Sequence, residues 1–363
     1  MRAGIVTFHF VNNFGGALQA YALCRAIEDS CNIECVVVDY RSRFIQFTDA
    51  VRLFPITTNP AELHSGMATM GERRGRMQRF DEFAKQNLEL TSLYHSNAAL
   101  MKNPPACDVL VCGSDQIWNP IITAGVDDVY YLGFAGDGIR KVAYAPSFGG
   151  VALRERQQRK VERLIRRLDA LSAREPDGVA RLQAITGTQV SQLIDPTFLL
   201  SADAWGEVAC KPCDVPDEFI LLYIMQRDES VYEHVAELKK AVGLSVVEIS
   251  RYGYRPDFVD QTLIDVGPAE YLWLFQHASK VCTNSFHGLA FSAIFQKPLH
   301  LVPSKRFGNR IAAMLDLLGK ESELLRVDVR QQFTFEDVHT QVRLAEEREK
   351  SFDYLRQNIR EQV

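Results

Sequence analysis

The feature that most constrains this chain is a rhythm that recurs along it. A short apolar run is followed by a polar loop rich in Gly, Ser or Asn, and then by an amphipathic helix. Residues 3–8 form the first such strand. The loop His9-Phe10-Val11-Asn12-Asn13-Phe14-Gly15-Gly16 follows, then a helix over about 17–29, then a strand over 34–39. Strand, crossover helix and strand make a βαβ unit, and so a parallel sheet covered by helices. Further strands are expected at 109–112, 141–145, 170–172 and 190–194, each closing on a polar turn. Residues 41–105 are helical and more charged, with 73–83 expected as an exposed helix, and 152–167 form a strongly basic helix. The stretch 200–217 carries Pro212 and Pro216 and reads as a connector. The rhythm then restarts. Strands are expected at 219–225, 245–249, 280–283 and 299–302, and helices at 230–241, 268–276, 289–295 and 309–318. A charged helix over 335–360 ends the chain.

Two such halves predict an α/β fold of two Rossmann-like domains facing a cleft, a glycosyltransferase-B-like architecture with the C-terminal helix crossing back. The expected divisions are 1–200, a connector at 201–217, a second α/β domain at 218–330, and a helix over 331–363 that packs on the first domain. A length of 363 residues suits two domains. Ligands of such sheets bind beyond the C-terminal ends of the strands, which is where the polar loops fall.

Charge narrows the function classes. A formal net charge of −5 argues against a bulk electrostatic grip on nucleic acid, but leaves room for a local cationic pocket. Six of the eight cysteines are Cys24, Cys31, Cys35, Cys107, Cys112 and Cys282, and several of these sit in apolar runs as small hydrophobes. The single CxxC, Cys210-Lys211-Pro212-Cys213, has no second pair to complete a zinc site and lies in the connector, so two surface thiols are expected. No HExxH or paired His at helical spacing appears, and no metal or cofactor is expected. The N-terminus enters a strand directly and no run of about 18 apolar residues exists. Cytoplasmic location is the expectation.

Four loops follow strand ends and precede or approach helices, where backbone N–H groups favour anions. The first holds Asn13, Gly15 and Gly16, and its plainer alternative is a tight strand-to-helix turn. The second, Gly113-Ser114-Asp115-Gln116-Ile117-Trp118-Asn119, sets hydrogen-bonding side chains beside an indole, which suits a sugar. Its alternative is a helix cap with Trp118 in the core. The third, Ser172-Ala173-Arg174-Glu175, offers Arg174 as a bidentate anion clamp or as a plain ion-pair partner. The fourth is Thr283-Asn284-Ser285-Phe286-His287-Gly288. In it His287 is a candidate acid, base or anion ligand near neutrality, and the alternative is a structural histidine.

Taken in order, these loops resemble the polysaccharide pyruvyltransferase family. The matching segments are Asn-Phe-Gly-Gly-Ala-Leu-Gln-Ala-Tyr-Ala-Leu at 13–23, Gly-Ser-Asp-Gln-Ile-Trp-Asn at 113–119 and Tyr-Ala-Pro-Ser-Phe-Gly at 144–149. Ser-Ala-Arg-Glu at 172–175, Asp-Pro-Thr-Phe-Leu-Leu at 195–200 and Thr-Asn-Ser-Phe-His-Gly at 283–288 complete the set. The resemblance implies phosphoenolpyruvate as donor, held mainly by the second domain, and a sugar or lipid-linked oligosaccharide as acceptor on the side of the first. Peripheral contact with the inner face of a membrane belongs to the same implication, as does a role in exopolysaccharide, capsule or cell-wall glycan synthesis. Oligomeric state does not follow.

The resemblance puts Arg174 and His287 in the donor site. Many members carry an Arg two residues before that His, and this chain has Ser285 there. Arg310, with Asn309 and Arg306, is the expected replacement. His287 and Asp115 are then the expected catalytic groups. Asn284, Ser285, Arg174, Arg310, Asn309, Asn13, Gly15, Ser114, Gln116 and Trp118 are the expected substrate contacts. The rival reading is a nucleotide-sugar-dependent glycosyltransferase of the same fold, since fold alone does not decide chemistry. A scaffold without catalysis is a third.

Overall fold

Short runs such as Val109-Leu110-Val111-Cys112 and Phe219-Ile220-Leu221-Leu222-Tyr223 are buried at every position. Strands buried on both faces belong in the middle of parallel sheets. The computed structural model describes residues 1–51, 60–225, 229–250, 255–301, 308–320 and 332–360. The chain divides into two compact units. Unit 1 comprises Met1–Asp49, Ala84–Leu200 and Ala345–Val363, and unit 2 comprises Ala50–Phe83 and Ser201–Leu344.

Unit 1 carries β1 (Arg2–Val6), β2 (Glu34–Val37), β3 (Val109–Cys112) and β4 (Arg140–Ala143), all parallel, in the order β2-β1-β3-β4. Ala170 extends the sheet past β4, where the Ala143 amide donates to its carbonyl at 2.9 Å. The short parallel pair β5 (Ser172–Ala173) and β6 (Ser191–Gln192) follows. The strand order therefore reverses between β1 and β3. Helix Phe14–Cys31 is buried at every residue from Phe14 to Cys24, so its first turns lie in the core.

Unit 2 carries β7 (Phe219–Tyr223), β8 (Ser245–Ile249), β9 (Gln261–Leu263), β10 (Lys280–Thr283), β11 (Leu299–Leu301) and β12 (Gln332–Phe333). Their order is β9-β8-β7-β10-β11-β12, with β12 alone antiparallel. This is the doubly wound order of a dinucleotide-type sheet, which reverses between β7 and β10. Both units are thus Rossmann-like α/β layers, as the strand rhythm predicted.

Several local expectations change. Residues 73–83 do not form an exposed helix. Within helix Met70–Asn87, Arg73 and Arg76 are 3% and 7% exposed. An Arg76 Nη atom donates to the Ser250 carbonyl at 3.3 Å, and Arg79 pairs with Asp265 at 3.2 Å and with Glu270. These contacts tie the segment to unit 2, although it lies early in the chain. The expected connector begins with helix Ala202–Glu207, whose fully buried Trp205 meets Phe291 edge-on at 5.3 Å. The helix expected at 289–295 starts earlier, as Phe286–Ile294, because the Ser285 hydroxyl accepts from the Gly288 amide at 3.3 Å and caps it. His287 therefore lies inside the first turn. Cys210 and Cys213 are exposed thiols, and the other six cysteines are buried. No helix among the described residues is long and apolar enough to cross a membrane, and no group of side chains there is arranged to hold a metal ion.

Candidate functional site

Crevices in doubly wound sheets open where strand order reverses, beyond the strands' C-terminal ends. In unit 1 that place lies after β1 and β3. Gln19, fully buried, joins the two ends. Its Nε2 donates to Thr7 Oγ1 at 2.8 Å and to the Gly16 carbonyl at 3.0 Å, and its Oε1 accepts from the Ser114 amide at 2.9 Å. Sequence reasoning quoted Gln19 but gave it no role. The available signal was a polar side chain on the buried face of an apolar helix.

The loop after β3 is held tightly. Gly113 has φ +123, and a side chain there would strike the Tyr144 carbonyl, so only glycine fits. Asp115 follows in the left-handed region at φ +61 and is 7% exposed. Its Oδ1 accepts from the Gln116 amide at 2.7 Å. Its Oδ2 lies 3.6 Å from where a Cβ on Gly16 would sit, so the carboxylate stands beside the start of helix Phe14–Cys31. There Asn13 caps the helix, its side chain accepting from the Gly16 amide at 3.3 Å, and Gly15 is buried in the first turn. The structure thus brings Asn13, Gly15 and Asp115 together. Gln116, half-buried, accepts from Asn119 Nδ2 at 3.0 Å.

Two expected sugar contacts in this loop do not hold. Trp118 is 1% exposed, donates from Nε1 to the Tyr130 carbonyl at 2.9 Å, and is stacked on Tyr131 at 4.9 Å and 2°. Its indole is a core side chain. Ser114 is fully buried and its hydroxyl donates to the Ala145 carbonyl at 2.6 Å, locking one strand-end loop to the next.

Arg174 differs from the expected clamp as well. It is 4% exposed, with Nε on Glu175 at 2.8 Å and an Nη on Asp195 at 2.6 Å. Burial alone would lower its pKa, but the charges of Glu175, Asp195 and Asp115 outweigh that and raise it. One guanidinium among three carboxylates leaves no net positive charge for a phosphate. The fork instead joins the 172–175 loop to Asp195, whose side chain also accepts from the Thr197 amide at 3.0 Å.

A second buried cluster in unit 1 went unread. His9, just after β1, meets Asp39 through Nε2 at 2.9 Å, and Arg41 donates to the same carboxylate at 2.7 Å. Burial would raise the Asp39 pKa, but the hydrogen bonds from His9 and Arg41 prevail and hold it below the ordinary value.

In unit 2 the reversal lies after β7 and β10. Fully buried Asn284 spans it, its Oδ1 accepting from the Met225 amide at 2.8 Å. Thr283 accepts from the Ser285 amide at 3.1 Å and sits so close to Gly288 that a side chain there would meet its hydroxyl. Ser285 then caps the helix, and His287 is 9% exposed in its first turn, its ring edge-on to Phe286 at 5.1 Å. The Arg310 guanidinium, from helix Gly308–Leu317, lies 5.9 Å from the Phe286 ring, so the structure brings Arg310 to this loop. Arg306 lies outside the described residues, and only the backbone place of Asn309 in that helix is described.

Two doubly wound units, each with polar side chains at its reversal point, define an α/β protein of two Rossmann-like units. The family model for polysaccharide pyruvyl transferase matches residues 13–306, and the chain belongs to that family. A search of curated proteins gives no significant match. Among solved structures the chain is similar to an alpha-glucosyltransferase in complex with UDP, at 10% identity and TM-score 0.49, covering 99% of this chain and 96% of that one. It is also similar to UDP-GlcNAc 2-epimerase from Methanocaldococcus jannaschii, at 11% identity, TM-score 0.45 and coverages of 95% and 99%. The Neisseria meningitidis UDP-GlcNAc 2-epimerase bound to UDP-GlcNAc gives 10%, 0.43, 96% and 100%.

Proposed function

We propose that this chain transfers pyruvate from phosphoenolpyruvate to a pair of sugar hydroxyls as a ketal, in the synthesis of a surface or cell-wall glycan. The observation that carries the reading is the family match, which spans both units. The reversal point of unit 2 fits the donor. Asn284, Ser285 and His287 cluster at a helix N-terminus, whose field favours a phosphate or carboxylate, with Arg310 beside them. Asp115 in unit 1 fits the acceptor, as a carboxylate that orients or deprotonates a hydroxyl.

The chemistry balances without a metal. One sugar hydroxyl adds its oxygen to C2 of phosphoenolpyruvate as C3 takes a proton from His287, and the hydroxyl's own proton passes to the departing phosphate. The C2–O bond to phosphate breaks, the phosphate departs with the bonding pair, and an oxocarbenium-like centre remains. The second hydroxyl adds to that centre and gives its proton back to His287, which closes the ketal and restores the acid. Arg310 and the helix N-terminus stabilise the departing phosphate.

Incubating the purified protein with phosphoenolpyruvate and a panel of sugar acceptors tests this. Acceptor-dependent phosphate release with a pyruvyl mass increment on the sugar is expected. Release of UDP from a nucleotide sugar, with no phosphate from phosphoenolpyruvate, overturns the reading in favour of glycosyl transfer.

A further inference from the structure

The basic segment after β4 is not used by the proposed chemistry. Seven basic and three acidic residues fall between 154 and 169, on a chain whose net charge is −5. Helix Glu155–Ile165 turns Val161, Leu164 and Ile165 into the core. Arg156, Arg159 and Arg163, on its opposite face, are exposed, as are Arg166 and Arg167 just beyond it. Arg159 pairs with Glu155, but no acidic residue pairs with Arg156 or Arg163 among the described residues.

This stripe works against the helix that carries it. Arg156 and Lys160, Arg159 and Arg163, and Arg163 and Arg167 are like charges four residues apart, a spacing at which repulsion costs stability, and the pairs of Lys160 with Asp128, Arg159 with Glu155 and Arg167 with Asp137 relieve only part of it. An external anionic surface offsets that cost. A second feature lies on the same flank. Lys160 Nζ donates to the Val126 carbonyl at 2.9 Å, which sets the 120–126 loop beside the helix. That loop exposes Ile121 by 64%, and the Ile121 amide donates to Asn119 Oδ1 at 3.0 Å, at the end of the Asp115 loop.

We propose that this flank of unit 1 is a docking surface for an anionic lipid bilayer. Arginines would meet the headgroup phosphates, and Ile121 would enter the boundary between headgroups and acyl chains. Nucleic acid fits less well. The stripe is one convex helix face of roughly 16 Å, and an extended polyanion leaving it would meet the acidic remainder of the chain. An apolar tip also gains nothing from a phosphodiester backbone. The Ile121 loop continues the Asp115 loop, so adsorption would bring the proposed acceptor carboxylate towards the lipid surface. That placement suits a lipid-linked sugar and, in this respect alone, rests on the function proposed above.

Co-sedimentation of the full chain with vesicles tests the surface. Vesicles of phosphatidylcholine with about a third phosphatidylglycerol, and of phosphatidylcholine alone, serve as probes at low and high salt. Retention on the anionic vesicles at low salt, and its loss at high salt, are expected. Combining Arg156→Gln, Arg159→Gln and Arg163→Gln should weaken retention about a hundredfold. Ile121→Ser should weaken it less and leave the salt dependence unchanged. Circular-dichroism melts check folding, and if the triple variant melts early, single Arg156→Gln and Arg163→Gln should each cost about fivefold. Absent retention on anionic vesicles, equal retention on neutral ones, an unaffected triple variant, or capture by DNA but not by vesicles would each overturn the proposal. Sedimentation reads no turnover, so failure here is distinguishable from failure of the pyruvyl-transfer reading.

Discussion

The two units solve the same problem with opposite chemistry. At its reversal point unit 1 gathers charge and neutralises it internally, with Arg174 among Glu175, Asp195 and Asp115, and His9 with Arg41 on Asp39. Unit 2 uses an amide, hydroxyls and an imidazole at a helix N-terminus. A buried ion pair that is already satisfied fixes loops in place. Amide and hydroxyl groups beside a helix N-terminus leave the field of the backbone for an incoming anion. The ion pairs of Arg174 and Asp39 in the first unit serve architecture, whereas the helix start at Ser285 in the second is the part that the proposed function gives to the ligand.

The sharpest test of that contrast is His287→Ala. If His287 is the acid as proposed, it should carry roughly 10²–10⁴-fold of turnover, measured as single-turnover rate with phosphoenolpyruvate, while the melting temperature holds. Full activity in the folded variant would remove His287 from the chemistry. Next comes Arg174→Ala, which strands Asp195 and Glu175 and should cost about 3–5 kcal/mol in urea unfolding. A stable variant that loses only donor affinity would make Arg174 a ligand contact and collapse the distinction between the units.

Acid should also separate them. His300 on β11 meets His234 at 3.0 Å, and burial, then that neighbour, push its pKa down to about 4 from 6.5. The unfolded chain takes up this proton first, so the stability is fully present above pH 6.5. It is lost as pH falls towards about 4, by up to about 3 kcal/mol. Asp39 in unit 1 has a lowered pKa, so its contribution persists until pH falls below its ordinary 3.8. Urea midpoints between pH 7 and 4 should therefore fall in the native chain and fall less in His300→Gln. The smallest effect concerns the two caps. Asn13→Ala and Ser285→Ala should each cost about 1 kcal/mol of stability, but only Ser285→Ala should raise the KM for phosphoenolpyruvate. Equal KM values would place Ser285 with Asn13 as a cap alone.

The strands and the loops at their ends were legible, because buried parallel strands leave unbroken apolar runs and functional loops must follow them. What those loops do was less legible. Nothing local says that Trp118 is stacked on Tyr131, thirteen residues on, or that the partner of Arg174 is Asp195, twenty-one residues away. The charged pattern of helix Met70–Asn87 looked solvent-facing because its partners, Ser250, Asp265 and Glu270, lie far along the chain. Ser285 was readable as a cap, yet the apolar run after it drew the expected helix start too late.

The division of the chain also bears on synthesis. Unit 1 includes Ala345–Val363. From that segment Tyr354 donates its hydroxyl to the Ala143 carbonyl at 2.9 Å, Arg140 reaches the Asn358 carbonyl at 2.6 Å, and Arg348 holds the carbonyls of Phe198 and Leu200. A ribosome that has released residues 1–200 has therefore not yet released everything the first sheet needs. Nascent unit 1 must wait, with the backbone around β4 uncovered, while Ser201–Leu344, the larger part of unit 2, is translated. Truncation before residue 345 should thus yield an incompletely folded chain and not a separable domain, and the waiting interval is when a chaperone would matter most.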